Sequence, residues 1–112
     1  MNVTWEESGA SVVCHLAGNL EQLTVGTFRC AISQVLPKQS VIIDLSGVPF
    51  LDSAGLGALI GAARRVREMG GEAIICAPRP SVNRVLEMVG LPRIVCVANS
   101  VADAVALLSA VA

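Results

Sequence analysis

The hydrophobic pattern changes its period several times along the chain, and these changes predict short strands. Residues 2–6 alternate weakly, residues 11–16 are more apolar, and the turn Glu7-Ser8-Gly9 separates them. This arrangement predicts an N-terminal β-hairpin. Residues 41–45 form a short apolar run of the kind found in strands buried on both faces. Two further apolar runs, 72–77 and 94–97, predict two more strands.

Apolar residues at helical spacing predict four helices. The first opens at Thr24 and stops before Pro37, the third runs from Ser81 to Met88, and the fourth covers 100–111. The second, after residue 53, has the clearest pattern, with a buried side formed by Leu56, Leu59, Ile60, Ala63 and Val66. Its opposite side is charged and consists of Arg64, Arg65, Arg67 and Glu68.

These elements follow the order β-β-α-β-α-β-α-β-α. Alternation of strands and helices predicts an α/β fold with a mixed, mostly parallel sheet of about five strands, in which the first strand pairs antiparallel. A chain of 112 residues is expected to form one domain over residues 1–112.

Composition narrows the function classes. The net charge of −1 and the scarcity of aromatic residues, 3% of the chain, argue against nucleic acid or an anionic membrane surface as the main partner. The apolar segment 101–112 is shorter than the about 20 residues that span a bilayer. No signal peptide is predicted, and the cysteines are interpreted as buried, reduced thiols: Cys14, Cys30, Cys76 and Cys96. Both features predict a cytoplasmic protein.

The turn Asp52-Ser53-Ala54-Gly55 is the most informative segment, because it joins the apolar strand to the most amphipathic helix. Its position predicts that the Ser53 hydroxyl lies at a helix N-terminus, where free N–H groups and the helix dipole favour an anion. Such a serine is a helix cap, a nucleophile or a phosphorylation site. Gly55 and Gly57 leave the first turn without bulk, which we interpret as room for another molecule to approach closely.

Two enzymatic interpretations fit the residues poorly. A hydrolase would place glycine two residues before the serine, where this chain has Leu51, and the only histidine, His15, lies within a predicted strand. A phosphoacceptor aspartate such as Asp44 would need Mg²⁺, further carboxylates and a lysine after the last strand, and the only lysine is Lys38. We therefore expect no enzyme, no cofactor and no metal site.

The segment 42–57, Ile-Ile-Asp-Leu-Ser-Gly-Val-Pro-Phe-Leu-Asp-Ser-Ala-Gly-Leu-Gly, closely resembles the signature of STAS domains, in particular the bacterial anti-sigma factor antagonists. The resemblance extends over nearly the whole chain, through Leu16-Ala17-Gly18-Asn19-Leu20, Thr24, Gly70-Gly71 and Val89-Gly90-Leu91. It implies a regulatory switch. The unphosphorylated antagonist binds an anti-sigma factor that is a serine kinase, which frees the sigma factor, and phosphorylation of the serine releases the partner.

Carried over by position, the resemblance implies that Ser53 is the phosphoacceptor, that Asp52 contacts the kinase or orients the hydroxyl, and that Gly55 permits close approach. Ala54 leaves Ser53 as the one acceptor in the motif. Asn19 stands where family members often have an acidic residue, and Glu21 stands where they often have aspartate. Together with the apolar Leu23, these two residues are expected to flank Ser53. The alternative function is a STAS scaffold that binds its partner without a phosphoswitch. The free protein is expected to be a monomer or a weak homodimer.

Overall fold

The computed structural model describes residues 1–111 and contains one five-stranded sheet. The strands lie side by side in chain order: β1 (Asn2–Ser8), β2 (Ser11–Ala17), β3 (Ser40–Gly47), β4 (Ala73–Cys76) and β5 (Cys96–Ala98). β1 pairs antiparallel with β2 as a hairpin, and every later pair is parallel. The predicted fold class and element order are therefore confirmed.

Helices cover both faces of the sheet. One large core cluster packs the sheet against α1 (Val25–Ile32), α2 (Ser53–Glu68) and α3 (Pro80–Met88). A smaller cluster packs the other face against α4 (Val101–Val111), chiefly over β3, β4 and β5. The second face of β1 and β2 is thus left partly open. None of the helices within residues 1–111 has the length and apolar character needed to cross a membrane.

The buried central strand β3 fixes the position of the segment after it, which leads into α2. Every residue from Val41 to Leu45 is buried, as expected for a strand with helices on both faces. α2 then returns over the sheet and buries Leu59, Ala63 and Val66 as predicted, whereas Leu56 and Ile60 are only half-buried. Its four charged residues, 64, 65, 67 and 68, are exposed, which also agrees with the pattern.

Two expectations need correction. Cys14 and Cys76 are buried free thiols, but Cys30 and Cys96 are exposed, because Cys30 lies on the outer side of α1 and Cys96 begins the edge strand β5. The last strand also starts later than predicted. A short 3₁₀ helix (Leu91–Arg93) extends into a turn in which the amides of Ile94 and Val95 both donate to the carbonyl oxygen of Leu91, so these residues do not enter the sheet.

Candidate functional site

The start of α2 places Ser53 and Asp52 in different environments. Ser53 is the first helical residue and is exposed. Asp52 is the N-cap, and its Oδ1 accepts a hydrogen bond of 2.9 Å from the amide of Gly55. Its Oδ2 accepts a second bond of 3.1 Å from the amide of Gln22. The carboxylate is therefore held at both oxygens, whereas among the described residues the Ser53 hydroxyl has no hydrogen-bond partner.

Backbone hydrogen bonds join the loop after β2 to the loop after β3. The amide of Gly18 donates to the carbonyl oxygen of Gly47 over 2.9 Å, and the amide of Leu20 donates to that of Phe50 over 3.0 Å. The amide of Asp52 completes the series with a bond of 3.3 Å to the carbonyl oxygen of Leu20. The two loops therefore adjoin, and the loop that carries the sequence-predicted residues 19, 21 and 23 lies against the start of α2, where residues 52–55 lie.

Gly55 has a structural role that the sequence did not reveal. It is buried, and a Cβ atom at this position would lie 2.1 Å from the carbonyl oxygen of Leu20. The close approach at Gly55 is thus made by the chain's own loop, which corrects our expectation that it leaves room for a partner. Gly57 is exposed, and a Cβ atom there would meet nothing within 4 Å. Close approach of a partner remains an expectation for Gly57.

Thr24 fixes the shape of the first loop. It occupies the N-cap of α1, as predicted, but its side chain does not cap the helix. Its hydroxyl donates to the carbonyl oxygen of Asn19 over 2.7 Å and accepts from the amide of Glu21 over 2.9 Å. A threonine at this position therefore closes the loop that carries three of the predicted partner-binding residues, Asn19, Glu21 and Leu23.

The surface around Ser53 combines apolar side chains with acidic ones. Leu23 is 89% exposed and Phe50 is 50% exposed, although large apolar side chains are normally covered. Asn19 is exposed, while Glu21, Asp52 and Ala54 are half-buried. Phe50 was not among the predicted partner-binding residues; its place in the Val48-Pro49-Phe50 turn is the signal that would have indicated it. Because Leu23 and Phe50 lie on adjoining loops, they are candidates for apolar contact with a protein partner.

The electrostatics favour a charged Asp52. The hydrogen bond from the amide of Gly55 holds the pKa of the Asp52 carboxyl below its ordinary value, and the bond from Gln22 adds to this effect. Asp52 is consequently ionised at neutral pH. Any anion placed on Ser53 would lie next to this carboxylate while also facing the positive end of the α2 dipole.

A second cluster of titratable side chains lies on the other face of the sheet. Nδ1 of His15 lies 2.6 Å from Oδ2 of Asp44, and its Nε2 lies 2.9 Å from Oε1 of Glu6. These contacts raise the pKa of His15, the bond to Glu6 having the largest effect. His15 lies on the face of the sheet that α4 covers, whereas α2, which begins at Ser53, packs on the opposite face, so His15 is not placed to activate the Ser53 hydroxyl. Among residues 1–110 no group of three or more ligating side chains could hold a metal ion.

Comparison with known proteins assigns the family. The STAS domain family matches residues 2–104. An anti-sigma F factor antagonist of Lysinibacillus sphaericus is 32% identical over 84 residues, 72% of each chain. A putative anti-sigma factor antagonist of Thermotoga maritima has the same fold, with a TM-score of 0.87 and 20% identity over 96% of this chain and 94% of that one. The phosphorylated form of SpoIIAA, a Bacillus cell fate determinant, matches with a TM-score of 0.69 and 23% identity over 95% and 98% of the two chains. The chain belongs to the STAS domain family and is related to its anti-sigma factor antagonists.

Proposed function

We propose that the protein is an anti-sigma factor antagonist switched by phosphorylation of Ser53. In its unphosphorylated form it binds an anti-sigma factor that is itself a serine kinase, which releases the sigma factor in the cytoplasm. Phosphorylation of Ser53 then releases the kinase. The observation that carries the proposal is the exposed Ser53 hydroxyl, which lies at a helix N-terminus beside a carboxylate held by two amides.

The local geometry favours a hydroxyl that a kinase can reach without unfolding the protein. Ser53 is exposed, whereas the loops beneath it are tied together by backbone hydrogen bonds. A phosphate there would face the free N–H groups and the dipole of α2, which favour an anion by about 0.3–1 kcal/mol. The fold can therefore accept the phosphate with little rearrangement.

The same phosphate would be unfavourable for a bound partner. It adds about −1.5 to −2 charges next to the ionised Asp52. A partner surface that fits a neutral hydroxyl would then meet repulsion and would have to desolvate a new anion. A loss of about 3–4 kcal/mol weakens an interface several-hundred-fold. A change at one side chain is thus sufficient to release the kinase.

Leu23 and Phe50 supply the apolar part of the proposed interface. They lie on the two joined loops that precede α1 and α2, and both are exposed. Apolar contacts of this kind do not depend on phosphorylation. They are the observation that favours the second candidate function, a STAS scaffold that holds its partner whether or not Ser53 is modified.

The test is intact mass spectrometry after incubation with ATP and the serine-kinase anti-sigma factors of the host. We expect one added phosphate on the wild type and none on Ser53→Ala. Ser81→Ala is the matched control, because Ser81 is also an exposed serine in the first turn of a helix. Phosphorylation that persists in Ser53→Ala or disappears in Ser81→Ala would contradict the assignment of Ser53.

Partner binding separates the two candidate functions. Leu23→Gln is expected to weaken binding of the unphosphorylated protein. Leu36→Gln serves as its control, since Leu36 is also an exposed leucine, 64% exposed, but follows the opposite end of α1. If the kinase binds phosphorylated and unphosphorylated protein equally, the scaffold function replaces the switch.

A further inference from the structure

We propose that His15 is a pH-sensitive latch that ties the edge strand β1 to the rest of the sheet. The latch consists of Glu6 on β1, His15 on β2 and Asp44 on β3, whose side chains meet on the partly open face of the sheet. When protonated, His15 donates a hydrogen bond to each carboxylate. When it loses the proton, Glu6 is released and β1 is held less firmly.

Strand register brings these three residues together. His15 lies directly opposite Asp44 in the parallel pair β2–β3, and Glu6 lies diagonally across the antiparallel pair β1–β2, two residues from the direct partner Thr4. Side chains on one face of neighbouring strands are within reach of each other at both positions. The latch therefore spans three adjacent strands, and β1 is the outermost of them.

The number of N–H donors on the His15 ring explains why the loss of one proton breaks the contact with Glu6. An imidazolium has two N–H donors, whereas a neutral imidazole has one donor and one lone pair. Asp44 is the more buried carboxylate, with a side chain 10% exposed, and its contact with His15 is the shorter, 2.6 Å against 2.9 Å for Glu6. The neutral ring therefore keeps its proton towards Asp44 and turns a lone pair towards Glu6.

Asp44 is a fixed anchor for the latch. Its Oδ1 accepts a bond of 2.9 Å from the amide of Ser46, and its other oxygen faces His15. Burial alone would raise the pKa of Asp44, but these two hydrogen bonds hold the pKa below its ordinary value. Glu6 is the movable member, because its side chain is 64% exposed and can turn into solvent.

No other nearby group takes the place of His15. Arg79 approaches the end of β3, but its Nε donates to the backbone oxygen of Ser46 over 3.0 Å. Asp103, on α4, lies beside the residues of β5 at the far side of the sheet. The remaining titratable groups nearby are Glu7 on β1, the N-terminal amine, Cys14 on β2 and Cys76 on β4. Burial raises the pKa of both thiols to about 12, so they stay neutral over the pH range in which His15 titrates.

Release of Glu6 and the looser attachment of β1 would change the surface around Trp5. Trp5 lies in the middle of β1, is 40% exposed and, together with Gln34, lines two grooves. One groove lies between β1 and α1, and the other lies between β1 and the loop that follows α1. A looser β1 changes the shape of both grooves. The latch thus makes the shape of this surface depend on pH.

The chain offers single reporters for the test, because it has one histidine and one tryptophan. NMR titration of His15 should give a pKa above the ordinary value of about 6.5. Glu6→Gln should move the pKa of His15 down towards that value. Glu7→Gln is the matched control, since Glu7 is the adjacent glutamate on the opposite face of β1, and it should leave the pKa of His15 almost unchanged.

Hydrogen exchange tests the coupling to β1. After correction for the intrinsic pH dependence, the amides of β1 should exchange roughly two- to fivefold faster above the pKa of His15 than below it. Trp5 fluorescence should change over the same pH range, and Glu6→Gln should abolish both transitions. An equal pKa of His15 in Glu6→Gln and Glu7→Gln would overturn the latch. A titrating His15 without any change in β1 exchange would overturn its coupling to the strand.

Discussion

The surface around Ser53 and the cluster of Glu6, His15 and Asp44 (the His15 cluster) both contain polar side chains. They differ in whether those side chains have hydrogen-bond partners within the protein. In the cluster, each ring nitrogen of His15 and each oxygen of Asp44 has a hydrogen-bond partner. At the Ser53 surface, the backbone and Asp52 hold the structure together, and the Ser53 hydroxyl is left exposed. The polar groups of the cluster are satisfied within the fold, whereas the exposed Ser53 hydroxyl is available to another molecule.

The largest expected effect comes from filling the contact between α2 and the loop that contains Leu20. Gly55→Ala would place a Cβ atom 2.1 Å from the carbonyl oxygen of Leu20, and the helix and the loop would have to separate. We expect the free energy of unfolding to fall by about 2–3 kcal/mol, as for other overpacked sites. Urea unfolding measures it.

Gly57→Ala is the matched control for this substitution. It lies in the same helix two residues further on, with open space around the position of a Cβ atom. Alanine is the better helix former, so the free energy of unfolding should rise by about 0.5–1 kcal/mol. If the two substitutions change stability in the same direction, the supporting role of Gly55 is wrong.

A smaller effect is expected at Asp52. Asp52→Ala removes the cap of α2 and the bond to Gln22, so it should lower the free energy of unfolding, but by less than Gly55→Ala does. Ser53→Ala should leave stability almost unchanged, because the hydroxyl makes no hydrogen bond with the described residues. Equal losses in the two variants, measured by thermal unfolding, would mean that Ser53 supports the fold as Asp52 does.

The smallest effect is the pH dependence of the His15 cluster. The pKa of His15 is raised in the folded state, so its contribution is complete below the unfolded value of about 6.5 and disappears as the pH rises through the folded value. Asp44 acts in the opposite direction, since its pKa is lowered: its contribution disappears as the pH falls through the folded value.

Stability should therefore be greatest in mildly acidic solution. His15→Gln should remove the decline at higher pH, which we expect to be about 1 kcal/mol or less because the contact with Glu6 is largely exposed. Urea unfolding at a series of pH values measures the decline in the wild type and in this variant. A decline of the same size in His15→Gln would assign it to other groups.

The order of elements was predictable because each strand and helix carries its own local pattern. The apolar run 41–45 and the spacing of Leu59, Ala63 and Val66 identify the buried strand and the helix on it. The position of Ser53 at the start of that helix follows from the same local pattern.

The remaining features depend on contacts between distant parts of the chain. The role of Gly55 requires the loop that contains Leu20, and the His15–Asp44 pair joins residues 29 positions apart through strand register. Likewise, Ile94 is apolar enough for a strand, yet hydrogen bonding to Leu91 keeps it in a turn. Periodicity within one segment contains no information about such pairings.

The most direct test of the central proposal compares partner binding before and after phosphorylation. The unphosphorylated protein, the protein phosphorylated on Ser53 and the Ser53→Ala variant would each be titrated with the cognate serine-kinase anti-sigma factor by calorimetry. If phosphorylation of Ser53 releases the kinase, the unmodified protein and Ser53→Ala will bind alike, and the phosphorylated protein will bind at least about a hundredfold more weakly. Equal affinity of the phosphorylated and unphosphorylated forms would contradict the phosphoswitch.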